Sequence, residues 1–552
     1  MLRKLELTMF FVVLATACLV GHTAGAGQEN KAAEFFSSWG VVSQENGGTY
    51  HNPVLNADYP DSDVVQHGDK YYLISSTVHY APGMIILESR DMVNWKIIGH
   101  VFDKLTCKPN YGPDQMNGYK HGVWAGDLAY HDGRWYCYFI DFRSGLYMTS
   151  APDIRGPWKE THCMLEKEFW TDPAVYWDDD AHQAYLICNF GKGDAGVNEI
   201  RLFKMSWDGR DLLDDGRVIY EGNGAEAAKI YRIDGQWYVF LVHWMNGDRK
   251  QLVLRSKTDS IYGPYERKIV MERGNGVDRS ACQGALMQAD DGSWWFIHQL
   301  VQNGPGNWIG RQQALEPVTW NDGWPMIGED SDGDGIGELV WSGRVPNPGH
   351  PVRAPQTDDD FESNELGHQW EWNHNPIDQK WSLTERPGWL RLEAPVPVGK
   401  GGFWKAPNTL SQRIMGWRKG IATAKLDFSG LEPHQVAGFC HHSGVYHLLG
   451  VRAEPDGSRH LFLNRNGKVT GGPELETDIV WMRTEMEAGE AFFEYSLDGE
   501  NYRRFGPELP LRFGRWRGNR IGFFCWNEKK PAGHVDVDWF RYRFHGPAGG
   551  ME

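Results

Sequence analysis

YPDSDVVQHGDKYYLISST, residues 59–77, is the stretch from which the fold can be read. Asp61 and Asp63 form an acidic turn ahead of Val64-Val65. Gly68-Asp69 breaks the run, and Tyr71 to Ile74 restarts it as an aromatic-aliphatic segment. The same cue returns four more times. Asp132-Gly133 precedes Trp135-Tyr136, Asp179-Asp180 precedes Ala184-Tyr185-Leu186, Asp234-Gly235 precedes Trp237-Tyr238-Val239, and Asp291-Gly292 precedes Trp294-Trp295-Phe296. Short apolar runs bounded by Gly, Asp and Pro are strand signals. Five copies at intervals of roughly 50 to 65 residues predict repeated units of a few strands each, the pattern of a β-propeller.

A second echo supports the repeat. Ser89-Arg90-Asp91 runs to Trp95, Ser150 and Asp153 run to Gly156-Pro157-Trp158, and Ser256 with Asp259 runs to Gly263-Pro264-Tyr265. These segments are expected in the outer parts of successive blades. The repeats fill residues 48–342. Residues 343–356, GRVPNPGHPVRAPQ, are rich in Pro and Gly and read as a linker. Residues 357–546 again alternate in strand fashion without a clear period, which predicts a two-sheet sandwich. The fold class is therefore all-β.

With 552 residues the chain is long enough for at least two domains with full cores. Its formal charge of -17 and lack of a basic run argue against nucleic acid or an anionic membrane surface as partner. No apolar run beyond the N-terminus is long enough to span a bilayer. Aromatic residues make up 13% of the chain, with 26 Trp. Part of that is β core; the rest suits stacking on the C–H faces of sugar rings.

At the N-terminus Arg3 and Lys4 precede an apolar run, Leu7 to Val20, and Ala24-Gly25-Ala26 offers a cleavage site. Residues 1–26 thus read as an export signal, giving a secreted or periplasmic protein. Lipid attachment at Cys18 is the alternative, but Ala15-Thr16-Ala17 lacks the usual leading Leu. Cleavage would leave seven cysteines with no CxxC pair, most of them read as buried thiols. Asp330 to Glu338, DSDGDGIGE, mimics the start of a calcium loop. Its twelfth position is Trp341 rather than Glu, so an acidic surface turn is expected.

Three carboxylates lie beside apolar strands in different repeats: Asp61 in the first, Asp172 in FWTDPAVYW, and Glu226 in NGAEAAKIY. Any one Asp-Pro taken singly reads as a turn or cap. Three at matched positions read differently, because the innermost strands of a closed propeller line one channel and burying charge there costs free energy.

NPVLNADYPDSDVV (52–65), WTDPAV (170–175), Glu226 before AAKIYRIDGQWY, and IGRQQALEPVTWNDGWPMIG (309–328) together resemble glycoside hydrolase family 43. The C-terminal region resembles the sandwich carried by its β-xylosidase branch. The resemblance implies a five-bladed β-propeller followed by a concanavalin-A-like β-sandwich. It also implies an inverting, exo-acting hydrolase that releases xylose or arabinofuranose from pentose-containing oligosaccharides or polysaccharides. Carried over, Asp61 is the general base, Glu226 the general acid, and Asp172 orients the acid and holds its pKa up. An inverting pair stands roughly 6.5–9.5 Å apart so that water fits between base and sugar. Trp124 would wall the sugar pocket, Gln283 would contact it, and Arg311 would reach the sugar hydroxyls. No cofactor is required, but a calcium ion in the channel is allowed, with His298 as ligand; a core histidine is the alternative. The family usually has Pro-Ser after the base. Here Ser62-Asp63 follow, so Asp58 and Asp63 compete with Asp61 for that role. Ala227-Ala228 stand where a Gly is common after the acid. A carbohydrate-binding propeller without catalysis remains the competing class.

Overall fold

The computed structural model describes residues 41–43, 48–191, 196–245, 248–272, 277–302, 308–399, 401–416 and 419–544. The expected export segment, with Cys18, lies outside them. The repeats fold into five four-stranded antiparallel sheets. Blade I comprises Asp63–His67, Lys70–Ser75, Gly83–Ser89 and Lys96–Phe102. Blade II comprises Gly126–His131, Arg134–Asp141, Gly145–Ala151 and His162–Leu165. Blade III comprises Trp170–Asp178, Gln183–Phe190, Val197–Met205 and Arg217–Asn223. Blade IV comprises Glu226–Ile233, Gln236–Met245, Asp248–Ser256 and Tyr265–Met271. Blade V comprises Val277–Gln288, Trp294–Gln302, Gln312–Asn321 and Trp324–Ile327. The first strands of neighbouring blades touch in a closed ring.

The repeated turn cue is the hairpin between the first and second strands of each blade. His131 pairs with Arg134 and Ile233 with Gln236. That leaves two-residue loops, Asp132-Gly133 and Asp234-Gly235, whose φ values are all positive. Such turns match the twist of the flanking strands and favour Asp-Gly. Aromatic and aliphatic side chains then pack between adjacent blades, as Tyr72, Phe102, Trp135 and Phe139 do between blades I and II.

The ring is locked by its own ends. Thr49–His51 pairs with Ser342–Arg344, so the stretch expected to be linker opens as a strand. Leu55 bridges to Gln313 of blade V, and the Asn52 amide donates to the Val340 carbonyl at 2.7 Å.

Inside the ring Lys229 of blade IV lies 2.8 Å from Asp63 of blade I and 2.5 Å from Asp127 of blade II. Asp63 also accepts from the Leu128 N–H, and Asp127 from the Val175 N–H. One ammonium and two carboxylates thereby tie four blades together.

The C-terminal region is a sandwich of two eight-stranded sheets. Trp370, Phe439, Phe523 and Phe540 meet between them. One sheet continues into the propeller: Glu371–Asn373 pairs with Tyr80–Ala81. Beside that seam Glu371 is fully buried, 2.7 Å from both Arg413 and Arg520. The two domains thus share a sheet and a continuous apolar core.

Six cysteines whose side chains are described are free: Cys137, Cys188, Cys440 and Cys525 buried, Cys107 partly buried, and Cys163 exposed. Among the described residues no helix is long and apolar enough to cross a membrane. The 330–338 acidic loop is a surface turn in which Asp330 accepts N–H groups from Gly333, Asp334 and Gly335.

Candidate active site

At one end of the ring lies a cavity of about 440 Å³ whose walls include Asp61, Trp124, Asp172, Glu226, Gln283 and Arg311. All six were singled out in the sequence: Asp172, Glu226 and Gln283 come from strands of blades III, IV and V, and Asp61, Trp124 and Arg311 from loops just before strands. Asp61, Trp124, Asp172 and Glu226 stand at or just before the start of a first strand, Gln283 lies at a bulge within the first strand of blade V, and Arg311 precedes that blade's third strand. The backbone there has a recurrent kink. Asp61, Asp172, Ala227 and Gln283 all have left-handed φ, between 51° and 57°. The strand register shifts at Thr171/Ala174, Glu226/Lys229 and Cys282/Gly284. Bulges of this kind re-aim side chains and concentrate beside active sites. Here they turn residues of a strand end inward.

Asp61 is held at both carboxylate oxygens and at its backbone N–H. Its Oδ1 accepts from Arg311 Nη1 at 2.5 Å and its Oδ2 from Ser76 Oγ at 2.7 Å. Its backbone N–H donates to Gln299 Oε1 at 3.0 Å. Gln299 Nε2 then donates to Gln283 Oε1 at 3.0 Å, and Gln283 Nε2 to Asp172 Oδ1 at 3.1 Å. A relay of two amides therefore fixes the Asp61 loop against Asp172.

The carboxyl of Asp172 is pushed up to about 6, first by burial and then by the negative charge of Asp61. Its Oδ2 accepts the N–H of Ala227 at 3.1 Å. Asp172 thus reaches Glu226 through the backbone of the next residue. Glu226 itself accepts a hydrogen bond from Arg249.

The other candidates for the base are otherwise engaged. Asp63 is buried against Lys229. Asp58 accepts the Arg311 N–H at 3.0 Å and faces the sandwich, 3.1 Å from Arg517. Neither lines the cavity.

His298 also sits elsewhere. It is fully buried, with Nδ1 3.1 Å from the Gln299 carbonyl and Nε2 3.2 Å from Glu316. Calcium takes six to eight oxygen ligands. At His298 the one carboxylate in contact among the described residues, Glu316, already accepts from Val340 N–H and Asn52. This donor set does not fit calcium. Strand alternation explains the difference: Gln299, one residue on, points to the cavity instead.

Several wall residues carried no sequence signal. Arg249 is the second residue of the strand Asp248–Ser256. Phe142 stacks on Trp124, with ring centroids 4.9 Å apart and planes 8° from parallel. Lys120, Arg143 and Thr171 complete the propeller side. Trp516 comes from the sandwich. It is 47% exposed and stands 6.4 Å from the Trp124 ring. Exposed Trp faces around a cavity of this size suit a single sugar ring.

Comparison with known proteins agrees with this geometry. Residues 50–325 match the model for glycosyl hydrolases family 43. Residues 358–543 match the β-xylosidase C-terminal concanavalin A-like domain. The chain is 53% identical to a β-xylosidase of Formosa agariphila, over 92% of each protein. It is 30% identical to a non-reducing-end α-L-arabinofuranosidase of Bacteroides ovatus, covering 76% of this chain and 77% of that one. Among solved structures, a family 43 protein of Bacillus licheniformis superposes with a TM-score of 0.78 at 26% identity, covering 90% of this chain and 99% of that one. A propeller that only binds carbohydrate is thereby set aside. The chain belongs to glycosyl hydrolase family 43 and is a glycosidase, a five-bladed propeller with a cavity that its C-terminal sandwich helps to wall.

Proposed function

We propose that this glycosidase removes single xylose or arabinofuranose units from the ends of xylan-derived chains or side branches, with inversion at the anomeric carbon. The observation that carries this reading is the meeting of Asp61, Asp172 and Glu226, from three blades, in one cavity walled by Trp124 and Trp516. The activities named for the relatives, β-xylosidase and α-L-arabinofuranosidase, support the pentose assignment.

In this mechanism Asp61 takes a proton from water as the water oxygen bonds to the anomeric carbon. Glu226 gives its proton to the leaving oxygen as the glycosidic C–O bond breaks. Both oxygens of Asp61 accept hydrogen bonds, which fixes the plane in which water is held. Asp172 orders the backbone beside Glu226 through the Ala227 N–H, and Arg249 holds the Glu226 carboxyl in place. Arg311 can reach the sugar hydroxyls beside the reacting carbon. The N-terminal pattern of Arg3, Lys4 and the apolar run supports export as the setting for this activity.

Chromogenic β-xylopyranosides and α-arabinofuranosides test the substrate class. Turnover of at least one is expected, and NMR of the first-formed sugar from a xylo-oligosaccharide should show the inverted anomer. A retained anomer, or early products longer than one sugar, would overturn the reading. Glu226→Gln should lose on the order of 10²–10⁴-fold in rate on unactivated oligosaccharides. It should lose far less on dinitrophenyl glycosides, whose leaving group needs no proton. Equal losses on both would remove Glu226 as the acid.

A further inference from the structure

We propose that Arg517 of the sandwich is a positioning residue for the Asp61 base, so that the C-terminal domain sets the geometry of the water-activating carboxylate. This rests on the reading of Asp61 as base.

Two routes lead from Arg517 to the two oxygens of Asp61. In the first, Arg517 Nη1 donates to the Ser76 carbonyl at 2.7 Å. The Ser76 N–H donates to the Pro60 carbonyl, and Ser76 Oγ donates to Asp61 Oδ2. In the second, Arg517 Nε lies 3.1 Å from Asp58 Oδ2, which also accepts the Gly518 N–H at 3.0 Å. Asp58 Oδ1 accepts the Arg311 N–H, and Arg311 Nη1 grips Asp61 Oδ1. Arg311 Nη2 also donates to the Trp516 carbonyl. The segment 516–519 therefore touches both arms that hold the base.

The docking of that segment is a backbone contact. The Asn519 N–H donates to the Trp308 carbonyl at 2.6 Å. A Cβ on Gly518 would stand 1.7 Å from the Ile309 carbonyl oxygen. Any side chain there would push the sandwich off the loop that carries Arg311.

Stability alone does not account for Arg517. It is 1% exposed and does not line the cavity. Arg413 and Arg520 are buried nearby, so three guanidiniums face the two carboxylates Asp58 and Glu371. Burial lowers Arg517 to about 10. Its Nη2 has no hydrogen-bond partner among the described residues. Burying charge with incomplete pairing is costly and is a poor way to gain stability.

The test uses the full chain with Arg517→Met, Arg517→Lys and Ser76→Ala, together with Asp61→Asn. Arg517→Met should lower kcat by about 10²-fold, the scale of a 1 Å misplacement. KM and inhibition by free xylose should change far less than kcat, because Arg517 touches no sugar and reaches Arg311 only through Asp58. Arg517→Lys, which keeps the charge beside Asp58, should recover part of kcat. In an Asp61→Asn background Arg517→Met should lower the residual rate no further, since both act through one group. If Arg517→Met does not fold, Arg517→Lys and Ser76→Ala carry the same comparison. Folded variants with unchanged kcat, or losses that add to that of Asp61→Asn, would overturn the positioning role while leaving the base intact. Full activity in Asp61→Asn would instead remove the base itself.

Discussion

Asp61→Asn is expected to lose turnover by on the order of 10²–10⁴-fold, the range for a general base, while melting close to wild type. Asn is the informative replacement because Asp61 has φ 54°. Asn tolerates the left-handed region, whereas Ala there would add roughly 1–2 kcal/mol of strain and confuse lost chemistry with lost fold. The amide oxygen can still accept from one of the two donors, Arg311 or Ser76. What it cannot do is take a proton from water. Steady-state rates on an aryl glycoside, read beside a melting curve, decide the matter. Activity within tenfold of wild type would remove Asp61 as base.

Lys229→Met is expected to be the most damaging single change to the fold, costing about 3–5 kcal/mol, the usual price of removing one partner from a buried ion pair. Met keeps the length of the side chain and leaves Asp63 and Asp127 facing each other without a cation. Even with Lys229 present, burial pushes Asp127 up to about 7. A carboxyl raised in the folded state favours folding while protonated, below its unfolded value near 4. That contribution is lost as pH rises through about 7. Without Lys229 the rise should be larger, so the variant should fall furthest behind at pH 8 and recover towards pH 5. Melting temperatures across that range test this. A deficit that does not change with pH would show that the lysine is not balancing the two acids.

These predictions depend on structure that was unevenly legible. Residues 59–77 and their echoes were readable because turn chemistry is local. Asp-Gly with positive φ closes a two-residue hairpin wherever it occurs, and the aromatic run after it must find a neighbouring blade. The same reading placed Asp61, Asp172 and Glu226 beside first strands. Among Asp58, Asp61 and Asp63, which lie within six residues of one another, only the matching offset to the family motif favoured Asp61. Their partners lie far along the chain: Arg517 for Asp58, Arg311 for Asp61 and Lys229 for Asp63. His298 and Gln299 divided in the same way, since which face of a strand meets the cavity depends on the register of blade V.

The sequence by itself determined the five hairpin-led blades, the second β domain and the three acids, because these follow from turn residues, alternation and side-chain type over short spans. Only the tertiary structure decided what surrounds those acids. Closing the ring set the bulged strand ends face to face. Docking the sandwich brought Trp516 to the cavity and Arg517 behind Asp61, across more than 400 residues of chain. Contacts at that separation leave no periodic trace in sequence, since no local preference encodes them.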